Sequence, residues 1–131
     1  MQAPALYHGD EIEVYCEDAE WTAKKVLRIL NREGYLEWQG LLFILEFKVD
    51  SPDAPGVAGV FIDGAEEPAL EIPVSATEYK LFDSGVNAGG MGIGAHVIEV
   101  KLKSEGGKIY NRLFEVRTVP PRPVGSVVKT S

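Results

Sequence analysis

Much of the sequence alternates between apolar and polar residues over short stretches, which is the pattern of strands that bury one face. The clearest examples are residues 11–16, 41–49 and 95–103. Turn-forming residues separate such stretches, among them residues 51–56 and the dipeptide Asp63-Gly64. Further strands are predicted at residues 57–62, 69–74, 77–82 and 109–119. The pattern therefore predicts a mostly β protein, an antiparallel sandwich or jelly roll of eight or nine strands.

One segment, residues 19–32, fits two structures. As a helix it would begin after Asp18, which can act as the N-cap, and end at Gly34, which can act as the C-cap. As a strand it would alternate its side chains between two faces. Local propensity favours the helix and the β-rich surroundings favour the strand, so the sequence pattern leaves both interpretations open.

The sequence has 131 residues, a length typical of one domain. We predict that residues 10–119 form the sandwich and that residues 1–9 form a short N-terminal arm. Residues 120–131 are predicted to form a C-terminal arm, because three prolines in the first four positions favour an extended backbone. A tail with so few apolar side chains gains little by packing on its own domain, so we expect another molecule to hold it.

The stretch 41–49 begins with apolar residues on both faces. If Phe43 and Leu45 fill the core, Leu42 and Ile44 face outwards. Apolar side chains on the outer face of a sandwich indicate that an arm, a helix or a second subunit covers them. The predicted interface residues are Leu42, Ile44, Pro120, Pro121, Pro123, Val127 and Val128.

The order of motifs resembles a known family. A glycine-aromatic stretch from Gly34 leads into a hydrophobic strand, a Gly/Pro loop, a strand that ends in Asp63-Gly64, and a strand that begins Gly94-Ala-His96. This order resembles the galactose-binding-like jelly rolls, which include many carbohydrate-binding modules. The resemblance covers residues 11–119 and implies a jelly roll in which His96 anchors a turn. It also favours the strand interpretation of residues 19–32.

The same resemblance implies sugar recognition by exposed aromatic side chains that stack on sugar rings. The candidates are Trp21, Trp38, Tyr79 and Tyr110. Trp38 alternates with Leu36 and is expected to point inwards, so Trp21 and Tyr79 are the predicted ligand-binding residues. No aromatic cluster is visible on one predicted surface.

Composition and charge argue against some classes of partner and site. Thirteen Lys and Arg against twenty Asp and Glu give a net charge of −7, which argues against a nucleic-acid or anionic-membrane partner. A single cysteine, Cys16, excludes an intrachain disulfide and a multi-thiolate zinc site. The N-terminus lacks the basic and apolar regions of a signal peptide, which predicts synthesis in the cytoplasm.

No catalytic arrangement is recognisable. His8 and His96 form no metal-binding motif, and no serine has the Gly-x-Ser-x-Gly context of a nucleophile. Asp50, Asp53 and Asp63 fall in or near turns, where carboxylates stabilise the backbone; calcium binding is the alternative. We therefore predict a protein that is not an enzyme and needs no cofactor.

These observations lead to one functional hypothesis and one alternative. The hypothesis is a non-enzymatic structural protein of a larger assembly, specifically a bacteriophage capsid decoration or minor virion protein at the particle surface. It would bind copies of itself, with a trimer favoured, and neighbouring capsid subunits through its arms and its apolar outer face. The alternative is a carbohydrate-binding module that binds a surface glycan and has no catalytic activity of its own.

Overall fold

The computed structural model describes residues 5–31, 40–87, 94–119 and 127–129. Within these residues the chain forms ten strands and no helix. The strands are β1 (Ala5–Asp10), β2 (Val14–Cys16), β3 (Thr22–Asn31), β4 (Gly40–Val49), β5 (Gly56–Ile62), β6 (Leu70–Val74), β7 (Lys80–Asn87), β8 (Gly94–Ser104), β9 (Ile109–Val119) and β10 (Val127–Lys129). The segment with two interpretations contains β3, so the strand interpretation is confirmed and the helix does not form.

The strands pair into two antiparallel sheets. The first has the order β1-β9-β4-β7, with β2 also paired to β9, and the second has the order β10-β3-β8-β5-β6. The pairs are nested along the chain, because β5 pairs with β6, β4 with β7, β3 with β8, and both β1 and β2 with β9. The pairs β4–β9 and β5–β8 then join these hairpins into sheets. Nested hairpins folded in this way form a jelly-roll β-sandwich, so the predicted fold class is confirmed.

The core lies between the two sheets and follows the predicted alternation. On β4, Phe43, Leu45, Phe47 and Val49 are buried, while the residues between them are half-buried on the outer face. The corresponding inward side chains of β8 are Ile98, Val100 and Leu102. Burying one large apolar side chain contributes about 1.5–3 kcal/mol, so these two central strands supply much of the hydrophobic stabilisation.

Both predicted arms contribute an edge strand. Residues 5–10 form β1, which pairs with β9 at the edge of the first sheet. Val127 and Val128 lie in β10, which pairs with residues 27–29 of β3 at the edge of the second sheet. The described part of the C-terminal tail therefore belongs to the sheet opposite β4. Other residues singled out from the sequence lie outside the described residues: Trp38, Pro120, Pro121 and Pro123.

A β-bulge in β9 interrupts its pairing with β4. Leu45 pairs with Phe114 and Phe47 pairs with Asn111, so two residues of β9 stand opposite one residue of β4. The buried Asn111 side chain spans this irregularity, because its Nδ2 donates hydrogen bonds of 3.0 Å to the carbonyl oxygens of Glu46 and Leu113. The bulge turns the carbonyl of Arg112 towards the second sheet, where Lys25 of β3 reaches it.

Candidate functional site

The outer face of the first sheet carries a row of aromatic and cationic side chains. Tyr15 of β2 stands opposite Tyr110 of β9, and Tyr110 stands opposite Lys48 of β4. Tyr79, just before β7, and Arg112 complete the group. We call these five residues the tyrosine patch. The sequence analysis identified no aromatic cluster, because these residues come together only when the strands pair.

Cations and rings alternate within the tyrosine patch. Lys48 Nζ lies 4.9 Å from the centre of the Tyr110 ring and 5.2 Å from that of Tyr79. Arg112 Cζ lies 4.2 Å from the centre of the Tyr79 ring, while its Nε donates a hydrogen bond of 3.0 Å to Glu46. Cation–π contacts of this kind are worth about 0.5–1 kcal/mol at exposed sites. The side chains therefore hold one another in place on the surface.

Tyr79 is the most constrained member of the tyrosine patch. Its hydroxyl donates a hydrogen bond of 2.6 Å to Glu13 Oε2, from the segment before β2. Burial, which has the larger effect, and this hydrogen bond both raise the pKa of Tyr79 above its ordinary value. The phenol therefore stays neutral at physiological pH. The residue predicted to bind a ligand thus has its hydroxyl and its ring already engaged within the chain. Tyr15, by contrast, is 49% exposed.

The predicted interface residues Leu42 and Ile44 lie on the same outer face, further along β4. Both are half-buried. Their neighbours on β9 are Arg117 and Glu115, which form an ion pair of 3.0 Å. The outer face thus has an aliphatic end and a tyrosine end, with paired charges beside each. Whether another molecule covers it stays a prediction.

An apolar groove lies between the edge strands β6 and β7, one from each sheet. Its volume is about 290 Å³, and Phe47, Ile72, Val74 and Phe82 contribute to its lining. Leu81, at its rim, is 56% exposed. Edge strands leave backbone hydrogen-bonding groups unpaired, which suits them to strand–strand contacts.

The second predicted ligand-binding residue, Trp21, lies on the outer face of the second sheet. Its ring packs edge-on against Phe61 with 5.1 Å between ring centres, and Lys103 Nζ lies 4.4 Å from its ring centre. The side chain covers Phe61, which is buried although it points away from the core. Trp21 and Tyr79 therefore lie on opposite sheets, and the structure does not bring them together.

His96 behaves as the resemblance implies. Its Nδ1 lies 2.6 Å from Asp63 Oδ2, and the other carboxylate oxygen accepts a hydrogen bond of 2.9 Å from the Val97 amide. Asp63 has a positive φ of 55° at the turn it shares with Gly64. The pair fastens the β5 turn to β8, which is a structural role.

A buried polar cluster joins the two sheets, and sequence reasoning missed it. Lys25 faces the interior in the same row as the buried Leu27 and Ile29 of β3. Its Nζ donates hydrogen bonds to Asp10 Oδ1 at 2.5 Å and to the Arg112 carbonyl oxygen at 2.9 Å. The side chains of Lys25 and Asp10 are each 2% exposed. His8 Nε2 lies 3.3 Å from Asp10 Oδ2, with its ring edge-on to Phe114. We call Lys25, Asp10 and His8 the lysine–aspartate cluster.

Two opposing effects set the ionisation of Asp10. Burial disfavours the carboxylate, but the hydrogen bond from Lys25 and the one from the Ile12 amide favour it. The net result is a pKa of Asp10 below its usual value of 3.8. The one available sequence signal was the alternation Lys25, Leu27, Ile29, which places a lysine in a row of core positions.

Metal binding and membrane insertion each require a recognisable arrangement of residues. Among the residues that the structure describes, no group of three or more His, Cys, Asp or Glu side chains is placed to hold a metal ion. In the same part of the chain, no helix has the length and apolar character required to cross a membrane.

Comparison with known proteins adds no family to this picture. No protein-family model matches the sequence, and no curated protein is significantly similar to it.

Proposed function

We propose that this protein is a non-enzymatic structural subunit of a larger assembly, a bacteriophage capsid decoration or minor virion protein. In this proposal the outer face of the first sheet binds neighbouring subunits, and copies of the chain associate, as a trimer. The observation that carries the proposal is the combination on one sheet face of the tyrosine patch with Leu42 and Ile44.

The composition of that face supports an interface. Protein–protein interfaces are enriched in tyrosine and arginine at their centres and have polar rims. Here tyrosines and Arg112 lie beside aliphatic side chains, and the charged groups nearby are paired, as in Glu46–Arg112 and Glu115–Arg117. Paired charges reduce the cost of desolvation when a second surface approaches.

The fold and the termini support the choice of a virion. Double-sheet jelly rolls recur in viral capsid domains, which is a fold-level analogy. Both ends of the chain supply edge strands, and an edge strand can pair with a neighbouring subunit through its free backbone groups. The exposed side chain of Leu81, at the rim of the groove between the edge strands β6 and β7, offers a further apolar contact.

Light scattering after size exclusion tests the association of the full chain. We expect a mass above the monomer, and we expect Ile44→Lys to shift the protein towards monomer because a buried ammonium would face the neighbouring subunit. Val57→Lys, on the outer face of the second sheet, is the matched control and should leave the mass unchanged. A monomer at every concentration would contradict the proposal.

The virion assignment needs its own experiment. Phage particles purified from the strain that carries the gene should contain the chain, and immunogold labelling should place it on the capsid surface. Particles that lack the chain would rule out this assignment while leaving association to be judged by light scattering.

The exposed ring of Tyr15 and the half-buried ring of Tyr110 favour one alternative, a carbohydrate-binding module. Aromatic rings on a sheet face can stack on sugars, and these two lie with ring centres 6.0 Å apart. Affinity electrophoresis in gels that contain soluble polysaccharides distinguishes the two functions. Retardation that Tyr15→Ala and Tyr110→Ala both abolish, in a monomeric protein, would support sugar binding instead of assembly.

A further inference from the structure

The lysine–aspartate cluster brings an amine to a carboxyl group in a place that water does not reach. Lys25 Nζ is in hydrogen-bond contact with Asp10 Oδ1, and both side chains are almost completely buried. Lys25 belongs to the second sheet and Asp10 to the first, so a bond between them would join the two layers. A buried ion pair is a weak source of stability, which leaves its presence here to be explained.

We propose that Lys25 and Asp10 condense to form an intramolecular isopeptide bond. The lone pair of Nζ attacks Cγ of Asp10, a C–N bond forms, the Cγ–Oδ2 bond breaks, and Oδ2 leaves as water. No oxidant, reductant or co-reactant is required. The product is an amide that links β1 to β3.

The protons balance within the cluster. An ammonium–carboxylate pair and an amine–carboxylic acid pair differ only in the position of one proton, so transfer from Nζ to the carboxyl group generates the nucleophile. Burial penalises both charges and so reduces the cost of this transfer, while the hydrogen bonds from Lys25 and Ile12 keep the resting Asp10 as the carboxylate. Nitrogen loses one proton in this transfer and a second as the amide forms; His8, which lies beside Oδ2, relays both to that oxygen, and Oδ2 leaves as water.

The neighbouring groups match the parts of this reaction. The Ile12 amide donates a hydrogen bond of 3.2 Å to Oδ1, the oxygen that would carry negative charge in the tetrahedral intermediate. His8 Nε2 lies beside Oδ2, the leaving oxygen, where it can deliver a proton and take up the one that nitrogen releases. The Arg112 carbonyl oxygen accepts a hydrogen bond from Nζ and orients it.

The bond would give the fold a cross-link that does not depend on redox conditions. The chain has one cysteine, so no disulfide can tie its N-terminal strand to the opposite sheet. This inference is independent of the assembly function, because it concerns the covalent structure of a single chain.

Intact mass spectrometry of the denatured, full-length chain is the test. We expect the wild-type protein to be lighter than its sequence mass by one water molecule. Lys25→Met should show its full sequence mass. Comparing the wild-type mass with the mass of this variant corrects for any processing at the termini, which affects both chains equally. Lys24→Met, which removes the adjacent lysine, is the matched control and should keep the loss of water. Folded wild-type protein at its full sequence mass would overturn the proposal without any variant.

Peptide mapping distinguishes this bond from other dehydrations. Fragmentation of a protease digest should give a branched peptide that joins the segments containing Asp10 and Lys25. Loss of water located at Asp63-Gly64, where a succinimide can form, would overturn the assignment.

Two further variants probe the chemistry. Asp10→Asn should form the same amide with loss of ammonia, and so reach the same final mass as the cross-linked wild type. His8→Ala should leave a measurable fraction of the chain without the bond. A folded Asp10→Asn protein that retains its ammonia would contradict attack at Cγ, and complete, equally rapid reaction in His8→Ala would remove His8 from the mechanism.

Discussion

Gly56 is a residue at which the packing of the sandwich leaves no room for a side chain. A Cβ there would lie 2.8 Å from Ile109 Cδ1 and 2.9 Å from the Lys103 carbonyl oxygen. Because the carbonyl belongs to β8 and cannot move alone, we expect Gly56→Ala to lower the free energy of unfolding by about 1–3 kcal/mol. Urea denaturation followed by tryptophan fluorescence measures this change.

Gly59→Ala provides the comparison for that prediction. A Cβ at Gly59 would lie 2.8 Å from Phe61 Cε1 and 3.1 Å from Trp21 Cη2, which are the ends of side chains. Rotation of these rings can relieve the contact, so the loss of stability should be smaller than for Gly56→Ala. An equal or larger loss would show that the cluster around Trp21 is as rigid as the backbone.

Tyr79 leads to a prediction about alkaline pH. Its pKa is raised in the folded protein, so the stability that its neutral phenol contributes is present below the ordinary tyrosine pKa of 10.0 and is lost as the pH rises through the raised value. Glu13→Gln removes the negative charge beside the hydroxyl. We expect Tyr79 to ionise at a lower pH in this variant, as followed by tyrosinate absorbance, with Tyr79→Phe identifying the signal. An unchanged titration would show that Glu13 does not influence the phenol.

At the level of the strands, Asn111 stabilises the bulge of β9. Its side chain donates two hydrogen bonds to backbone carbonyls, one of them in β4. Asn111→Ala would remove both hydrogen bonds from these partly buried acceptors, at a cost of about 1–3 kcal/mol in the free energy of unfolding. Hydrogen exchange should accelerate in the segments around Glu46 and Leu113, with the remote β5–β6 hairpin as the internal control. Acceleration that is uniform across the chain would contradict a local role.

The strands also show which structural features can be predicted from the sequence. Alternation identified β4 and β8 and the direction of Phe43 and Leu45, because one buried face imposes a period of two on any strand. It could not identify the tyrosine patch, whose members Tyr15, Tyr79 and Tyr110 come from distant parts of the sequence. Their proximity depends on which strands pair and in which register, and the period of two contains no information about partners.

Lys25 illustrates a second limit. Hydropathy assigns a lysine to the surface, since an unpaired charge in the core is unfavourable. Here Asp10 and the carbonyl at the β9 bulge satisfy the ammonium, and neither is near Lys25 in the sequence. The sequence contained all three groups, but only the nesting of β1, β3 and β9 brings them together.

In the whole molecule, the two ends of the chain contribute unequally to the fold, although both were predicted as arms. β1 has six residues and carries His8 and Asp10 into the lysine–aspartate cluster. β10 has three residues and pairs only with residues 27–29 of β3. The N-terminal edge strand thus places two buried side chains between the sheets, whereas β10 extends the other sheet at one edge.

This asymmetry predicts different outcomes for two truncations. Deleting residues 1–10 leaves the Lys25 ammonium buried without its carboxylate, which alone costs about 3–5 kcal/mol, a large fraction of the stability of a domain. Deleting residues 127–131 exposes one edge of β3, but β3 keeps its full pairing with β8. Urea denaturation should therefore show the first chain unfolded or severely destabilised and the second close to the wild type in free energy of unfolding. If both truncations cost the same, the lysine–aspartate cluster would not be the element that fixes the N-terminal strand to the sandwich.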